Sequence, residues 1–348
     1  MDAWCVGQPS VGENHCVPSA ADRPLDQVYD LAVLDLDGVV YVDDRPVPGA
    51  VEALEDARRR GMHLAFITNN ASRPPAVVAK QLRGLGIPAE EADVVTSAQA
   101  AARLVAAQVP EGSRVYVIGG DGLHAALRER GLEPVVRIAD EPVAVVQGYG
   151  PDMPWRQVID GAILVRRGLP WVASNLDLTV PTSHGPGPGN GTLVQLVAEY
   201  AGRQPEVAGK PARPLFDETS ARVGGERPLV IGDRLDTDID GAHNVGWDSL
   251  LVMTGVTTAH ELASLAPAGR PTYVGADLGC LALPVSAVET EEGSAVVGGW
   301  TARVETGRLS VTGDGDRHDW WRAAAEALWT HLDATGEAAD PGDAAPPR

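Results

Sequence analysis

The chain of 348 residues carries 28 Lys and Arg against 48 Asp and Glu, a formal net charge of −20, with 44% hydrophobic residues. Length and composition predict two or three globular units able to bury a sizeable core. The acidic balance argues against nucleic acid or an anionic membrane as partner, because phosphate groups are repelled.

Residues 1–28 mix Pro, Gly, Ser and charge without periodicity and read as a mobile tail. They lack the basic start and apolar stretch of a secretory leader, and no later run reaches the roughly 18–20 apolar residues of a bilayer span. Cys5, Cys16 and Cys280 lie too far apart for a disulfide framework or a zinc spacing. A soluble, cytoplasmic protein is expected.

Residues 31–36 form a short apolar run of buried-strand type. Helical spacing follows in Val51, Leu54 and Ala57, closed by Gly61. A second strand at 63–67, a second helix through Val77, Val78, Leu82 and Leu85, and a third strand at 93–96 continue the alternation. Such a rhythm describes a parallel sheet with helices on both faces. Beyond Pro110-Glu111-Gly112 it restarts, with strands at 115–118, 143–146 and 171–174 and helices at 123–130 and 155–167. This block reads as an inserted domain closed by the Gly/Pro-rich loop 185–189. Further strands follow at 229–231 and 249–253. Alternation at Trp300, Ala302 and Val304, and again at Leu309 and Val311, predicts a hairpin across Thr306-Gly307. The helix at 320–332 then presents a Trp-rich face expected to pack on that hairpin.

The expected fold is α/β. A doubly wound, Rossmann-like parallel sheet spans 29–103 and 191–282, an inserted α/β cap spans 104–190, and a small α+β appendage spans 283–333. Tails are expected at 1–28 and 334–348.

Asp35 and Asp37 follow the first strand directly, and ligands of open α/β sheets bind beyond the carboxyl ends of strands. Alternation sets both carboxylates on one side. Such a pair suits a division between attack on an electrophile and proton transfer; it would equally serve as a solvated acidic turn. Thr68, Asn69 and Asn70 end the second strand, where a hydroxyl and backbone N–H groups make either a phosphate-sized cradle or a helix cap. Lys210, in Gly209-Lys210-Pro211, is one of two lysines, with Lys80, in a chain that otherwise writes Arg. An ammonium there would neutralise a phosphoryl oxygen or a carboxylate; the alternative is a surface lysine. Asp233, Asp236 and Asp238 follow a later strand, and hard oxygen ligands at a sheet edge fit Mg²⁺. Four such strand ends in one chain are much harder to assign to coincidence than any one alone.

LAVLDLDGVVY, ITNNAS, GKP and VIGDRLDTDI, in this order, resemble the motifs of the haloacid-dehalogenase-like phosphohydrolases. The insertion between the second and third resembles the class IIA cap of the NagD-like and 4-nitrophenylphosphatase-like subgroup. DVVTSAQ, VVQG, NLDLTVPT, PGNG, VAGKPA and RPTY, with a C-terminal extension of this length, are similar to actinobacterial glycerol-3-phosphate phosphatases.

The resemblance implies a Mg²⁺-dependent phosphatase of small phosphate monoesters. Glycerol 3-phosphate stands first, with 2-phosphoglycolate, sugar phosphates or nucleoside monophosphates as alternatives. It implies Asp35 as the nucleophile that forms an aspartyl-phosphate, and Asp37 as acid and then base. Thr68, the Asn69 backbone and Lys210 would hold the phosphoryl oxygens. Asp233 would bind Mg²⁺ with the Asp35 carboxylate and the Asp37 carbonyl, while Asp238 would stand behind them or orient Lys210. Substrate choice then falls to the cap, where Asn175 and Asp177 are expected to meet substrate hydroxyls, although both are also turn formers. His184 reads as a loop histidine.

A signalling receiver domain also joins Asp, Thr and Lys on a doubly wound sheet, but it needs neither a second carboxylate two residues on nor an insertion before the Lys. A catalytically inactive binding module of this fold is the remaining different class, and the motifs are all intact. Homodimerisation and the role of the appendage stay open from the sequence.

Overall fold

The computed structural model describes residues 22–346 apart from 44, 183 and 292. Six parallel strands make the central sheet: β1 (Leu31–Leu34), β2 (His63–Thr68), β3 (Val94–Thr96), β4 (Pro228–Gly232), β5 (Asp248–Val252) and β6 (Tyr273–Gly275). Their order is β6-β5-β4-β1-β2-β3. The strands read as unbroken apolar runs because both faces are covered. Ala32 and Leu34 of β1 pack with Leu54 and Leu82 from helices Ala50–Arg59 and Pro75–Gly84. Leu31 and Val33 pack on the other face with Ala101 and Phe216 from helices Ser97–Ala106 and Arg213–Val223. In the register of the central strands, Leu34 lies beside Ile231 of β4 and Phe66 of β2. Asp35, Asp233 and Thr68 therefore leave the sheet along one edge.

Between β3 and β4 lies a second parallel sheet of five strands, in the order Glu206–Val207, Trp171–Ala173, Ala144–Gln147, Arg114–Ile118 and Glu133–Val135. Helix Asn190–Ala201 buries Val194, Val197 and Ala198 with Val158 and Val165 of helix Trp155–Arg166. The inserted sheet thus runs past residue 190, where composition placed its end. Periodicity gives a helix its buried face but does not say which sheet that face covers. The Gly/Pro stretch expected as a loop is a strand: Gly185–Pro188 pairs antiparallel with Thr179–Thr182, Pro181 opposite Pro186. In a two-stranded ribbon both strands are edges, and edges accept proline.

The appendage holds four antiparallel strands, Glu289–Glu291, Ser294–Val297, Trp300–Glu305 and Arg308–Gly313, rather than a lone hairpin. Helix Arg317–Thr335 starts at Asp316, whose carboxylate accepts from the His318 N–H at 2.7 Å, and stops at Gly336, left-handed at φ 76°. Its Trp320, Ala324 and Trp329 pack with Trp300 and Ala302 of the appendage and also with Leu251 of β5 and Val274 of β6. The Trp-rich face therefore joins hairpin to core.

Part of each stretch expected as a tail is structured. Leu25–Val28 is a helical turn with Leu25 buried. At the other end Asp340 accepts from the Leu309 N–H at 3.0 Å and donates to the Gly307 carbonyl at 2.8 Å. Residues 1–21, with Cys5 and Cys16, lie outside the described residues; Cys280 is buried and free. Among the described residues no helix is long and apolar enough to cross a membrane.

Candidate active site

The loops that follow β1, β2 and β4 meet the Gly209-Lys210-Pro211 turn. Lys210, 3% exposed, places Nζ 2.7 Å from Asp35 Oδ1 and 2.7 Å from Asp238 Oδ1. Burial alone would lower its pKa, but the two carboxylates outweigh that and hold the ammonium protonated well above the usual lysine range. Asp238 is fully buried, and both its oxygens are engaged: Oδ1 by Lys210 and Oδ2 by the Arg234 N–H at 3.1 Å. Asp35, Asp233 and Asp238 each bring a carboxylate oxygen within 4.8 Å of the others. With its oxygens already bonded, Asp238 is better suited to fixing the lysine than to ligating a cation.

Asp233 differs. Its backbone carbonyl accepts from the Thr257 hydroxyl at 2.6 Å and Oδ2 accepts from the Val256 N–H at 2.7 Å. Oδ1 is buried with no hydrogen-bond partner among the described residues. Burial and the Asp35 charge push its carboxyl up to about 6. An orphaned carboxylate oxygen beside a second carboxylate is the donor set of a hard divalent cation. The backbone makes room for it: Gly38 sits at φ +84°, and a Cβ there would lie 2.4 Å from Asp233 Oδ2. The Thr254 hydroxyl ties the following loop to the Gly38 carbonyl at 2.6 Å.

Asp37 is exposed on one side. Protein packed against its other sides, with the negative charge of Asp35, pushes its carboxyl up to about 6, although Arg73 opposes the shift. Arg73, half-buried, donates to Gln81 Oε1 at 2.5 Å and bonds the Tyr41 side chain. Sequence reasoning missed this residue. Its one signal is a basic side chain five positions after Thr68, in the loop that leads into a helix.

Thr68 Oγ1 accepts from the Asn70 N–H at 3.0 Å, which leaves its hydroxyl proton to point elsewhere. The Asn69 side chain is a clamp. Its Oδ1 accepts from the Lys210 N–H at 2.8 Å, and Nδ2 donates to the Lys210 carbonyl at 3.1 Å and to Asp177 Oδ1 at 3.2 Å. Gly209 permits the approach, since a Cβ there would meet Asn69 Oδ1 at 2.4 Å.

The two cap residues separate in role. Asp177 reaches the site through Asn69 and is half-buried, so that burial raises its carboxyl pKa while Asn69, Lys210 and Arg234 counter it. Asn175, expected to meet substrate, is buried. Its Nδ2 donates to the Asn69 carbonyl at 2.6 Å, and its Oδ1 accepts from the Asp177 N–H at 3.2 Å. With donor and acceptor both committed, it ties cap to core. His184 is exposed on the hairpin turn, its N–H on Thr182 Oγ1 at 3.2 Å.

Chemically, the site joins a carboxylate paired to a buried ammonium, a second carboxyl of raised pKa, a hydroxyl and an orphaned acidic oxygen. That set can attack an electrophile, move a proton and neutralise negative charge.

Two family profiles match the chain: haloacid dehalogenase-like hydrolase over residues 32–133 and HAD-hydrolase-like over residues 207–281. It is 41% identical over 316 residues to the D-glycerol 3-phosphate phosphatase of Mycobacterium tuberculosis, covering 88% of each chain. It is 35% identical over 238 residues to the 5'-nucleotidase YutF of Bacillus subtilis, covering 68% of this chain and 91% of that one. The solved structure of a glycerol phosphate phosphatase from M. tuberculosis in complex with magnesium matches with a TM-score of 0.79 and 41% identity, over 88% of this chain and 92% of that one.

Proposed function

Because the chain belongs to the haloacid dehalogenase-like hydrolases, we propose that it is a Mg²⁺-dependent phosphatase of small phosphate monoesters, with glycerol 3-phosphate as its substrate. The observation that carries the chemistry is the buried Lys210 ammonium, 2.7 Å from Asp35 and from Asp238, beside the unpartnered Oδ1 of Asp233.

In this reading Asp35 attacks phosphorus and forms the acyl-phosphate bond as the bond to the substrate alkoxide breaks. Asp37, in its acid form, gives its proton to that alkoxide. As a carboxylate it then takes a proton from the water that attacks phosphorus, which releases phosphate and restores Asp35. Lys210 and the Thr68 hydroxyl face the transferring oxygens, and Asp238 and Asn69 keep Lys210 in place. Asp35, Asp233 and the Asp37 carbonyl would hold the cation. Bound Mg²⁺ supplies the positive charge that an acidic site needs to accept a phosphate ester.

The choice of glycerol 3-phosphate rests on two supports. The M. tuberculosis relative matches over 88% of the chain, and Asp177, next to Asn69, offers an acceptor for a polyol hydroxyl. A nucleoside monophosphate is the second reading, favoured by the B. subtilis relative. Phosphate release from a panel of esters, with Mg²⁺ and with EDTA, tests both. Glycerol 3-phosphate should give the highest kcat/KM, and EDTA or Asp35→Asn should abolish release. A nucleoside monophosphate ranked first would replace the substrate and keep the chemistry; turnover by Asp35→Asn would overturn the chemistry.

A further inference from the structure

The loop that follows β2 is gripped from two sides at one oxygen. The Asn69 carbonyl accepts from the Ser97 hydroxyl at 2.6 Å and from Asn175 Nδ2 at 2.6 Å, so both of its lone pairs are filled. Ser97 opens helix Ser97–Ala106 of the core, and Asn175 follows the cap strand Trp171–Ala173. Both side chains are buried. Asn175 is itself fixed to the cap, because its own carbonyl accepts at 2.7 Å from Nδ2 of Asn190, the first residue of helix Asn190–Ala201. The cap reaches the same loop again where the Gly122 N–H donates to the Ser72 carbonyl at 3.0 Å.

The Asn69 carbonyl shares a plane with the N–H of Asn70, since a peptide unit has no soft torsion of its own. That N–H donates to Thr68 Oγ1 at 3.0 Å. A turn of the plane that loosened the carbonyl end would therefore move the N–H end as well. With one lone pair of Oγ1 held by Asn70, the Thr68 hydroxyl proton has fewer directions to take. Three hydrogen bonds and one rigid plane thus run from the cap to a group that faces the transferring oxygens.

We propose that Asn175, together with Ser97, is a positioning residue for phosphoryl transfer: held on the Asn69 carbonyl, the pair fixes the peptide that orients the Thr68 hydroxyl. The cap then acts on the chemical step as well as on the choice of ester. It does so through a side chain whose donor and acceptor are both committed to protein. The proposal rests on the phosphatase reading.

Steady-state phosphate release in Mg²⁺ tests it with two esters of unlike leaving groups, glycerol 3-phosphate and p-nitrophenyl phosphate. Asn175→Ala should lower kcat about 10–10²-fold on both, the scale of a misplaced group at the reacting atoms, with KM changed less than about twofold. In a Thr68→Ala background the same substitution should cost less than about threefold, because the hydroxyl it orients is gone. Should Asn175→Ala fail to fold, Ser97→Ala, which removes one hydroxyl and leaves the Asn175 bond in place, should show the same coupling to Thr68→Ala. Losses that simply multiply would overturn the proposal. So would a raised KM for glycerol 3-phosphate alone, the mark of a residue that meets the polyol. A parent inactive on both esters would overturn the phosphatase reading itself, and the proposal with it.

Discussion

Asp37 decides how the site handles protons. Its carboxyl, pushed up to about 6 by burial and by Asp35, keeps an acid form available closer to neutrality than an ordinary aspartate does. Asp37→Asn preserves size and replaces the ionisable carboxyl by an amide that can act neither as acid nor as base, so kcat for glycerol 3-phosphate should fall about 10²–10⁴-fold with KM little changed, as read by steady-state phosphate release. An unchanged kcat would move the acid to another group. Asn69 acts through Lys210 instead. Asn69→Ala leaves the buried Lys210 N–H without its 2.8 Å acceptor, which should cost about 1–3 kcal/mol of stability. Urea denaturation measures that cost, and a fall in kcat/KM should accompany it because the ammonium loses its fixed position. A variant as stable and active as the parent would show that Lys210 is held in place without the Asn69 clamp.

At the scale of elements, what the sequence made legible was whatever its local chemistry alone determines. The apolar runs around Ala32 and Val230 need two covered faces wherever they sit, so the strands and the carboxylates at their ends could be read directly. Ownership could not. Helix Asn190–Ala201 covers the inserted sheet and not the central one, a fact held in contacts between Val194 and Val158 far apart in sequence. Asn175 reads in sequence as a substrate contact or a turn former because an amide's partners are not written beside it; the Asn69 carbonyl that accepts its hydrogen bond lies 106 positions away. Arg73 was overlooked for the same reason, since Tyr41 and Asp37 approach it only in the fold. The C-terminal helix was legible as an apolar face, but its anchor was not. Trp329, 1% exposed, donates to the Leu262 carbonyl at 2.8 Å, and Arg270 lies 5.1 Å over its ring while bonding Asp333. Trp329→Ala should lower unfolding free energy by about 3–5 kcal/mol, measured by urea denaturation. A loss below about 1 kcal/mol would mean that the appendage is stabilised independently of the core.

For the molecule as a whole, a net charge of −20 makes the cation a stability question as well as a catalytic one. Ordinary carboxylates have lost their protons by pH 5.5, so general repulsion changes little above that point. Asp37 and Asp233 are different, with carboxyls pushed up to about 6 from 3.8 by burial and by mutual repulsion with Asp35. Between about pH 4 and pH 6 the folded state keeps protons there that the unfolded chain has released. The unfolded state binds fewer protons, and these groups make the metal-free fold less stable as pH rises through that window. His124 and His318 act in the opposite sense, because burial lowers their pKa values and the fold holds them neutral. A cation must displace the carboxyl protons, so Mg²⁺ should raise the melting temperature more at pH 7.5 than at pH 5.5. Melts in EDTA and in Mg²⁺ at both pH values measure the difference. Asp233→Asn removes one ionisable oxygen pair and leaves the histidines alone, and it should erase most of the Mg²⁺ increment while raising the metal-free melting temperature at pH 7.5. If Mg²⁺ stabilised parent and variant alike, the cation would be bound to the acidic surface in general, and the orphaned oxygen of Asp233 would have some other purpose.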